Sequence, residues 1–488
     1  MKRNVLSSVG RAAAGAAGCL FALSGCLTVG PAYQAPRVAV PDRWQTEAIQ
    51  GVAQDQAPMQ TWWKIFKDPA LDALMAEVRT NNQDLAAAVA RLDEASARYG
   101  IARSARAPSL DGVGGVARAR DSERVRSHDS QNNNPYMLYD AGFTMSWEPD
   151  LWGRVRRSIE VAHGQWQASL EDVRDMLVVL QSDAATAYLQ FRTVQQRLVY
   201  ARGNVALQEG TLKLTQDRHK AELTGELDVR QAELNLASTR ALLPQLEAQR
   251  DQALNRVCVL CGKLPGALVP LLRQTNSVPV VTALPSFLPA DLLRHRPDVR
   301  AAERRLAAQT AQIGVAAGDL YPQFALNGFF EWEASKSGNL FNPQARTYSF
   351  GPSFRWALFN AQRIRNNIRA EEAAAREALA HYEQTVLAAY EESEDALSAY
   401  ANELNRLTSL RAAAVAAAQS AKLVDTLYRT GLTDFQNVLD MHRALFQQQD
   451  ALASSEGAAV QYLVALYKAL GGGWELPADP LPTTRPEP

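Results

Sequence analysis

Two patterns of apolar and polar positions account for most of the chain. From Leu177, the residues Leu180, Ala184, Ala187, Phe191, Val194, Leu198, Ala201 and Val205 follow at alternating spacings of three and four, the seam of a long helix packed against neighbours. No proline occurs from Asp150 to Leu243 or from Ser353 to Leu476, and between Ser353 and Leu470 only Gly431 and Gly457 depart from helix-forming composition. A helix of about 60 residues rises about 90 Å, more than a globular core needs. Small residues on the seam favour flat, close packing of such helices into a tube or rod. Pro244 is expected to bend the first return helix. Elsewhere the period is two. Tyr348, Phe350, Phe354 and Trp356 alternate with Thr347, Ser349, Ser353 and Arg355. Phe324, Leu326, Phe330 and Trp332 repeat the pattern, as do Phe143, Met145 and Trp147, and the segment from Ser109 to Arg118 is the weakest of the four strands.

These patterns occur twice. Asn82-Gln83-Asp84-Leu85 aligns with Arg296-Pro297-Asp298-Val299 at an offset of 214, which also carries Pro108 onto Pro322. After a loop five residues shorter in the second half, an offset of 209 pairs Trp147 with Trp356, Arg154 with Arg363, Leu223 with Leu432, Thr224 with Thr433 and Val229 with Val438. The seam recurs as Val386, Ala389, Ser393, Ala396, Tyr400, Glu403, Leu407, Leu410 and Ala414, with Ser393 and Glu403 as its lapses. Each half therefore reads as helix, β-hairpin, long helix, turn and long return helix.

The N-terminus changes the picture by giving the chain a destination. Lys2 and Arg3 precede an uncharged run of small and apolar residues from Ala12 to Leu23, the plan of an export signal. It ends in Leu23-Ser24-Gly25-Cys26, which resembles a bacterial lipobox. On that resemblance the Cys26 thiol is acylated and becomes the first mature residue, and Leu27 in place of Asp sorts the chain to the outer membrane. The acyl chains anchor and do not span. With 51 basic and 52 acidic residues the net charge is -1, which excludes nucleic acid as a main partner. Past the signal no apolar run is long enough for a membrane helix, so any crossing is by strands. A soluble sheet with one buried face would show the same alternation, but export and lipidation favour a barrel. Four strands cannot close one, and open edges are not tolerated in lipid, so oligomerisation follows; three copies supply twelve strands.

Of four cysteines, Cys19 leaves with the signal and Cys26 takes lipid. Cys258 and Cys261 are open to a local disulfide, a redox centre or part of a metal site, although their place at the close of a helix rather than at its start favours a structural pair. Six histidines without metal-ligand spacing, no phosphate-binding glycine loop and no nucleophile elbow leave no catalytic constellation, so the chain reads as a non-enzyme with no cofactor beyond the lipid on Cys26.

Longer motifs then become specific. Trp62-Trp63-Lys64-Ile65-Phe66-Lys67-Asp68-Pro69 with Leu71 and Leu74, Asn81-Asn82-Gln83-Asp84-Leu85, Arg296-Pro297-Asp298-Val299-Arg300-Ala301-Ala302-Glu303, Leu320-Tyr321-Pro322 and Ala469-Leu470-Gly471-Gly472-Gly473-Trp474 resemble the outer membrane factor family, the TolC and OprM group, in its NodT-like lipoprotein branch. The resemblance covers nearly the whole mature chain. It implies a mixed, mainly α fold: a homotrimer whose 12-stranded outer-membrane β-barrel, four strands per protomer, continues as a periplasmic α-helical barrel. It also implies a passive exit duct for drugs or other small molecules, partnered by a periplasmic membrane-fusion adaptor and an inner-membrane transporter of the resistance-nodulation-division class. The parts are then a signal over 1–25, a lipidated extended segment over 26–60, repeats over 61–275 and 276–474, and a tail over 475–488.

The same resemblance assigns the hairpin tips, Ala221-Glu222-Leu223-Thr224-Gly225 and Thr430-Gly431-Leu432-Thr433, to the periplasmic entrance and adaptor docking. Glu222 stands where the family has Gly, so the first tip is expected to dock differently. Asp440 falls at an inward acidic position near the constriction, where three copies would form a carboxylate ring; Asn437 occupies the second acidic ring position. Tyr428 and Asp228 match a pair that in TolC ties the inner hairpin to its outer neighbour, and the basic partner of a second tie is Thr433 here, so the gate is expected to be tethered more weakly. Competing readings are a channel for type I protein secretion or metal-ion export, or a periplasmic coiled-coil scaffold that makes no pore.

Overall fold

The structure, a computed structural model, describes residues 28–36, 38–39, 41, 44–45, 53–55, 59–120, 135–272, 283–285 and 295–474. The export signal, Cys26 and the tail lie outside the described residues. In chain order the elements are β1 (Ala53–Asp55), α1 (Pro69–Asn81), α2 (Gln83–Ser104), β2 (Ser109–Ala119), β3 (Tyr136–Trp147), α3 (Arg154–Lys220), α4 (Glu226–Leu260), α5 (Val269–Leu272), β4 (Ala283–Pro285), α6 (Pro297–Gly318), β5 (Gln323–Ala334), β6 (Arg346–Arg355), α7 (Arg363–Arg429) and α8 (Phe435–Ala469). The duplicated pattern has structural counterparts. α3 and α7 have 67 residues each and α4 and α8 have 35, with both ends of each pair 209 positions apart. α2 and α6 have 22 residues each at the offset of 214. The chain nevertheless divides into two units that each take segments from both halves, one holding 92–169 and 302–382, the other 37–91, 170–301 and 383–488.

In the first unit the four long strands form one antiparallel sheet in the order β2-β3-β5-β6. Register puts Phe143 opposite Phe330, Phe330 opposite Tyr348 and Phe324 opposite Phe354. Because side chains alternate along each strand, Leu110, Val116, Phe143, Met145, Trp147, Leu326, Trp332 and Phe350 fall on this same face. The other face carries Asp111, Asp140, Thr144, Ser146, Asn327, Glu331, Glu333, Ser349 and Ser353. Among the described residues nothing covers the apolar face: Leu110, Phe143, Tyr348, Phe350 and Phe354 are all exposed. The N-terminal segment is pinned near the start of α3, where Val29 N donates to Trp152 O at 3.0 Å and the buried Arg157 donates to Val29 O at 3.1 Å.

In the second unit helices pack on the seam read from the sequence. All its α3 positions are buried except Ala187 and Val205, which are partly so. The two lapses of the α7 seam are buried as well and find polar partners. Ser393 donates to Ala389 O at 2.8 Å, and Glu403 accepts from Ser455 of α8 and from Arg406 at 3.1 Å. A short 3-10 segment, Met59–Phe66, buries Trp62, Trp63 and Phe66, with Trp62 stacked on Tyr467 at 5.4 Å. Asp68 caps α1 through Ala70 N at 2.9 Å and accepts from the Tyr188 hydroxyl, which in turn accepts from Arg192 at 2.8 Å. The Asn82 and Arg296 side chains, aligned by the repeat, donate to the last carbonyls of the two return helices, Leu260 O at 2.8 Å and Ala469 O at 2.7 Å. Cys258 sits in the last turn of α4 and Cys261 caps it; both are buried free thiols. α4 runs on through Pro244. No helix among the described residues is long and apolar enough to cross a membrane.

Candidate functional site at the hairpin tips

Both long hairpins turn by the same device. Leu223 N donates to Arg218 O at 2.9 Å and Glu222 N to His219 O at 2.9 Å; in the second hairpin Leu432 N donates to Leu427 O at 2.8 Å and Gly431 N to Tyr428 O at 3.1 Å. This pair of bonds is a Schellman motif, which needs a left-handed residue after the helix. Gly431 takes that conformation at φ +78°, and Glu222 takes it at φ +59° although it carries a Cβ. The two turns therefore share one backbone, and what Glu222 changes at the first tip is an exposed carboxylate and the strain of holding it. Leu223 and Leu432 project at the two tips, 67% and 74% exposed, with Thr433 and Thr224 half-buried beside them.

On the first turns of α8, Gln436, Asn437 and Asp440 share an exposed face. Gln436 donates to Asp440 at 3.1 Å and Asn437 donates to Thr433 at 2.9 Å, so the carboxylate carries no basic partner on its own helix. The opposite face of α8 is core: Phe435, Val438 and Leu439 bury against Val424 and Tyr428 of α7 and Ala232 of α4. Tyr428 is fixed from above by Arg218 of α3, whose guanidinium lies 4.7 Å from the ring centre and donates to Tyr428 O at 2.7 Å. The expected Tyr428–Asp228 tie is not formed within the chain. Asp228 accepts from Thr224, and the buried Tyr428 hydroxyl has no hydrogen-bond partner among the described residues.

Three polar contacts of this region escaped the sequence. His442 is buried and sits 2.9 Å from Asp425 on the facing helix. Arg443 of α8 donates to Asn235 of α4 at 3.2 Å, and Arg197 of α3 forms a two-point pair with Asp450 at 2.7 and 3.0 Å. The hairpin turn alone carries a signal for the first, since folding α8 back on α7 brings positions on either side of the turn opposite each other. Elsewhere in this unit Asp175 is pushed up to about 6 by burial, aided by Asp298. No group of three or more His, Cys, Asp or Glu side chains that could hold a metal exists among the described residues. The arrangement offers no reacting group; it offers a polar, charged helix face and two projecting apolar tips.

The model of the family described as outer membrane efflux protein matches residues 74–263 and again 288–472. The chain belongs to this outer membrane efflux protein family. The efflux protein is 32% identical over 468 residues to the pyoverdine export outer membrane protein OpmQ of Pseudomonas aeruginosa, covering 93% of this chain and 97% of that one. It is 31% identical to the solvent efflux pump outer membrane protein SrpC of Pseudomonas putida, covering 94% and 97%. Among solved structures it superposes on the outer-membrane channel OprN with a TM-score of 0.85 at 36% identity, covering 92% of this chain and 99% of that one. The efflux protein thus has the channel architecture of an α-helical barrel with a β-barrel domain and is an outer-membrane component of efflux. The four-stranded antiparallel sheet of the first unit is the barrel portion, with an aromatic face and an acidic, polar face.

Proposed function

We propose that this efflux protein is the homotrimeric exit duct of a tripartite pump, passively conducting small molecules handed over by an inner-membrane transporter of the resistance-nodulation-division class through a periplasmic adaptor. It catalyses no reaction, uses no cofactor, and carries lipid on Cys26. The repeats over 61–275 and 276–474 each supply two strands and one long helix hairpin, in keeping with the two stretches matched by the family model. The observation that carries the reading is the sheet. Its strands of 10 to 12 residues are long enough to cross a bilayer, its two edge strands have one open side each, and its aromatic face is bare. Three copies close those edges. Adaptor hairpins dock on the tips through Glu222, Leu223, Thr224, Gly431, Leu432 and Thr433. Asp440, with Asn437 one turn nearer the tip, lines the constriction, and Tyr428 and Asp228 belong to the same gate without a bond between them within the chain. The unpartnered Tyr428 hydroxyl supports a gate less tightly tied than one bridged by that pair.

Single-channel recording in planar bilayers tests this. Wild-type protein is expected to give small cation-selective steps, and Asp440→Ala combined with Tyr428→Phe larger and less selective ones. Steps of unchanged size and selectivity in the double variant would move the constriction elsewhere. A purified trimer that fails to insert would refute the duct.

A further inference from the structure

The two halves differ sharply at one place, the loop that leads from the last strand of each hairpin into its long helix. In the first half Arg154 pairs with Glu148 at 2.6 Å, and Arg156 pairs with Asp150 at 3.2 Å while Asp150 caps α3 through Val155 N and Arg156 N. At the offset of 209 both arginines are kept, as Arg363 and Arg365, and both carboxylates are lost: Glu148 becomes Ala357 and Asp150 becomes Phe359. Glu160 becomes a third arginine, Arg369. Arg363, Arg365 and Arg369 are exposed, and among the described residues no carboxylate pairs with any of them. Phe359 and Leu358 are 91% and 78% exposed, the former more than any other large apolar residue of the described chain. They follow Trp356, the exposed residue just past the end of β6, whose Nε1 donates to Leu320 O at 3.0 Å. The turn is held under strain, with Ala361 and Gln362 at φ +48° and +64°, where glycine would be at ease. Beside it a recess of about 410 Å³ is lined by Arg355, Arg363, Tyr321, Gln323 and Asp319.

We propose that this loop is a binding site for an anionic phospholipid of the surrounding leaflet, the phosphate seated between Arg363 and Arg355 in the recess and the acyl chains against Leu358, Phe359 and Trp356. Guanidinium groups left without a carboxylate call for an external anion. An apolar wedge next to them, continuous with the lipid-facing aromatics, calls for that anion to carry hydrocarbon. A second copy is a poorer occupant, because the matching carboxylates of its first half are already engaged with their own arginines. The site rests on the outer-membrane barrel and not on the gate assignment.

Native mass spectrometry of the full-length protein in mild detergent, titrated with dioleoylphosphatidylglycerol, tests the proposal. Two variants remove the site by different chemistry: Arg363→Gln with Arg355→Gln removes the two cations of the recess, and Ala357→Glu with Phe359→Asp restores the carboxylates of the first half. Each is expected to weaken lipid binding by at least about tenfold, the scale of losing one charge-assisted contact of about 1.4 kcal/mol. Dioleoylphosphatidylcholine is expected to bind more weakly, and millimolar inorganic phosphate not to compete. Unchanged lipid binding in both variants overturns the proposal. Competition by inorganic phosphate would replace the lipid with a free anion, and loss of trimer without loss of lipid binding would assign the loop to the contact between copies.

Discussion

Gly457 of α8 is a glycine by contact and not by conformation, and substituting it measures how closely two long helices must approach. It is buried inside a helix, where alanine would ordinarily stabilise by about 1 kcal/mol. A Cβ built there would collide with the Thr193 hydroxyl and methyl on α3 and would lie 2.9 Å from Thr193 Cβ. A change of rotamer cannot relieve this, because the Thr193 Cβ is fixed by its backbone and its hydroxyl is held by Leu189 O at 2.8 Å. The helices must therefore separate by several tenths of an ångström along their contact, an overpacking cost of about 1 to 3 kcal/mol. After the gain in helix propensity, Gly457→Ala is expected to leave a net destabilisation of about 0 to 2 kcal/mol in place of the stabilisation that an unhindered helix site would show. Thr193→Ala in the same chain removes the hydroxyl and methyl but leaves the Cβ, so rescue is expected to be partial, with a coupling of about 1 kcal/mol in the double-mutant cycle. Thermal unfolding of the purified channel read by tryptophan fluorescence, with the four proteins compared in one detergent, provides the assay. Additive effects of the two substitutions, or a Gly457→Ala protein more stable than wild type by about the full 1 kcal/mol of helix propensity, would refute the close approach.

Glu222→Gly is expected to relieve about 1 kcal/mol of left-handed strain and slow amide hydrogen exchange at Leu223, while Gly431→Ala speeds exchange at Leu432 by a similar factor. The Asp175 carboxyl, pushed up to about 6 in the fold by burial and by Asp298, holds its proton more tightly folded than unfolded. Its contribution is thus full below the ordinary carboxylate range and is lost as pH rises through about 6, so Asp175→Asn is expected to flatten the fall in thermal midpoint between acidic and neutral pH. The Cys261 thiol is pushed up to about 11 by burial and Cys258 is buried beside it, so neither is expected to react with a maleimide until the chain is denatured; rapid labelling of the native channel would show the helix end to be open.

Periodic and repeated features were legible in the sequence because they are local or stated twice. The α3 seam reads directly from Leu177 to Ala201, and the aromatic face of the sheet from Phe324, Phe354 and Tyr348, since a strand puts every second side chain on one side whatever its partner. Ser393 and Glu403 looked like lapses because a heptad rule scores polarity; Ala389 O and Arg406 are partners on α7 itself, whereas Ser455 meets Glu403 only when α8 folds back on α7. His442 with Asp425 lies across the hairpin turn, which alone hints at it, whereas Arg197 with Asp450 joins helices 253 positions apart with no spacing rule between them. The Tyr428–Asp228 tie could not be read from spacing at all, and no bond joins the two within the chain. It was carried over from a family pattern, and in this chain Thr224 occupies Asp228 from within its own turn.

The duplication supplies its own control for separating architecture from function. Where the halves differ in residue but agree in contact, the position serves the fold. Asn82 and Arg296 share no chemistry beyond N–H donation, yet both close the final turn of a return helix at Leu260 O and Ala469 O. Gly262 and Gly471 take the same left-handed turn just beyond, at φ +66° and +73°. Where one half keeps a costly group and loses what satisfied it, the fold gives no reason for keeping it. Arg363 and Arg365 without Glu148 and Asp150 are of this kind, and so is Glu222, which keeps a strained backbone that Gly431 accepts freely. A trimer of such chains presents six helix hairpins of one geometry but two chemistries in alternation. On the proposed trimer a partner docking on the tips meets the Glu222 carboxylate at the left-handed position of one turn and Gly431 at that of the other, and the loops after the last strand of each hairpin alternate between self-neutralised and open arginines. That asymmetry, absent from the backbone, is where the two halves of the chain have taken different work.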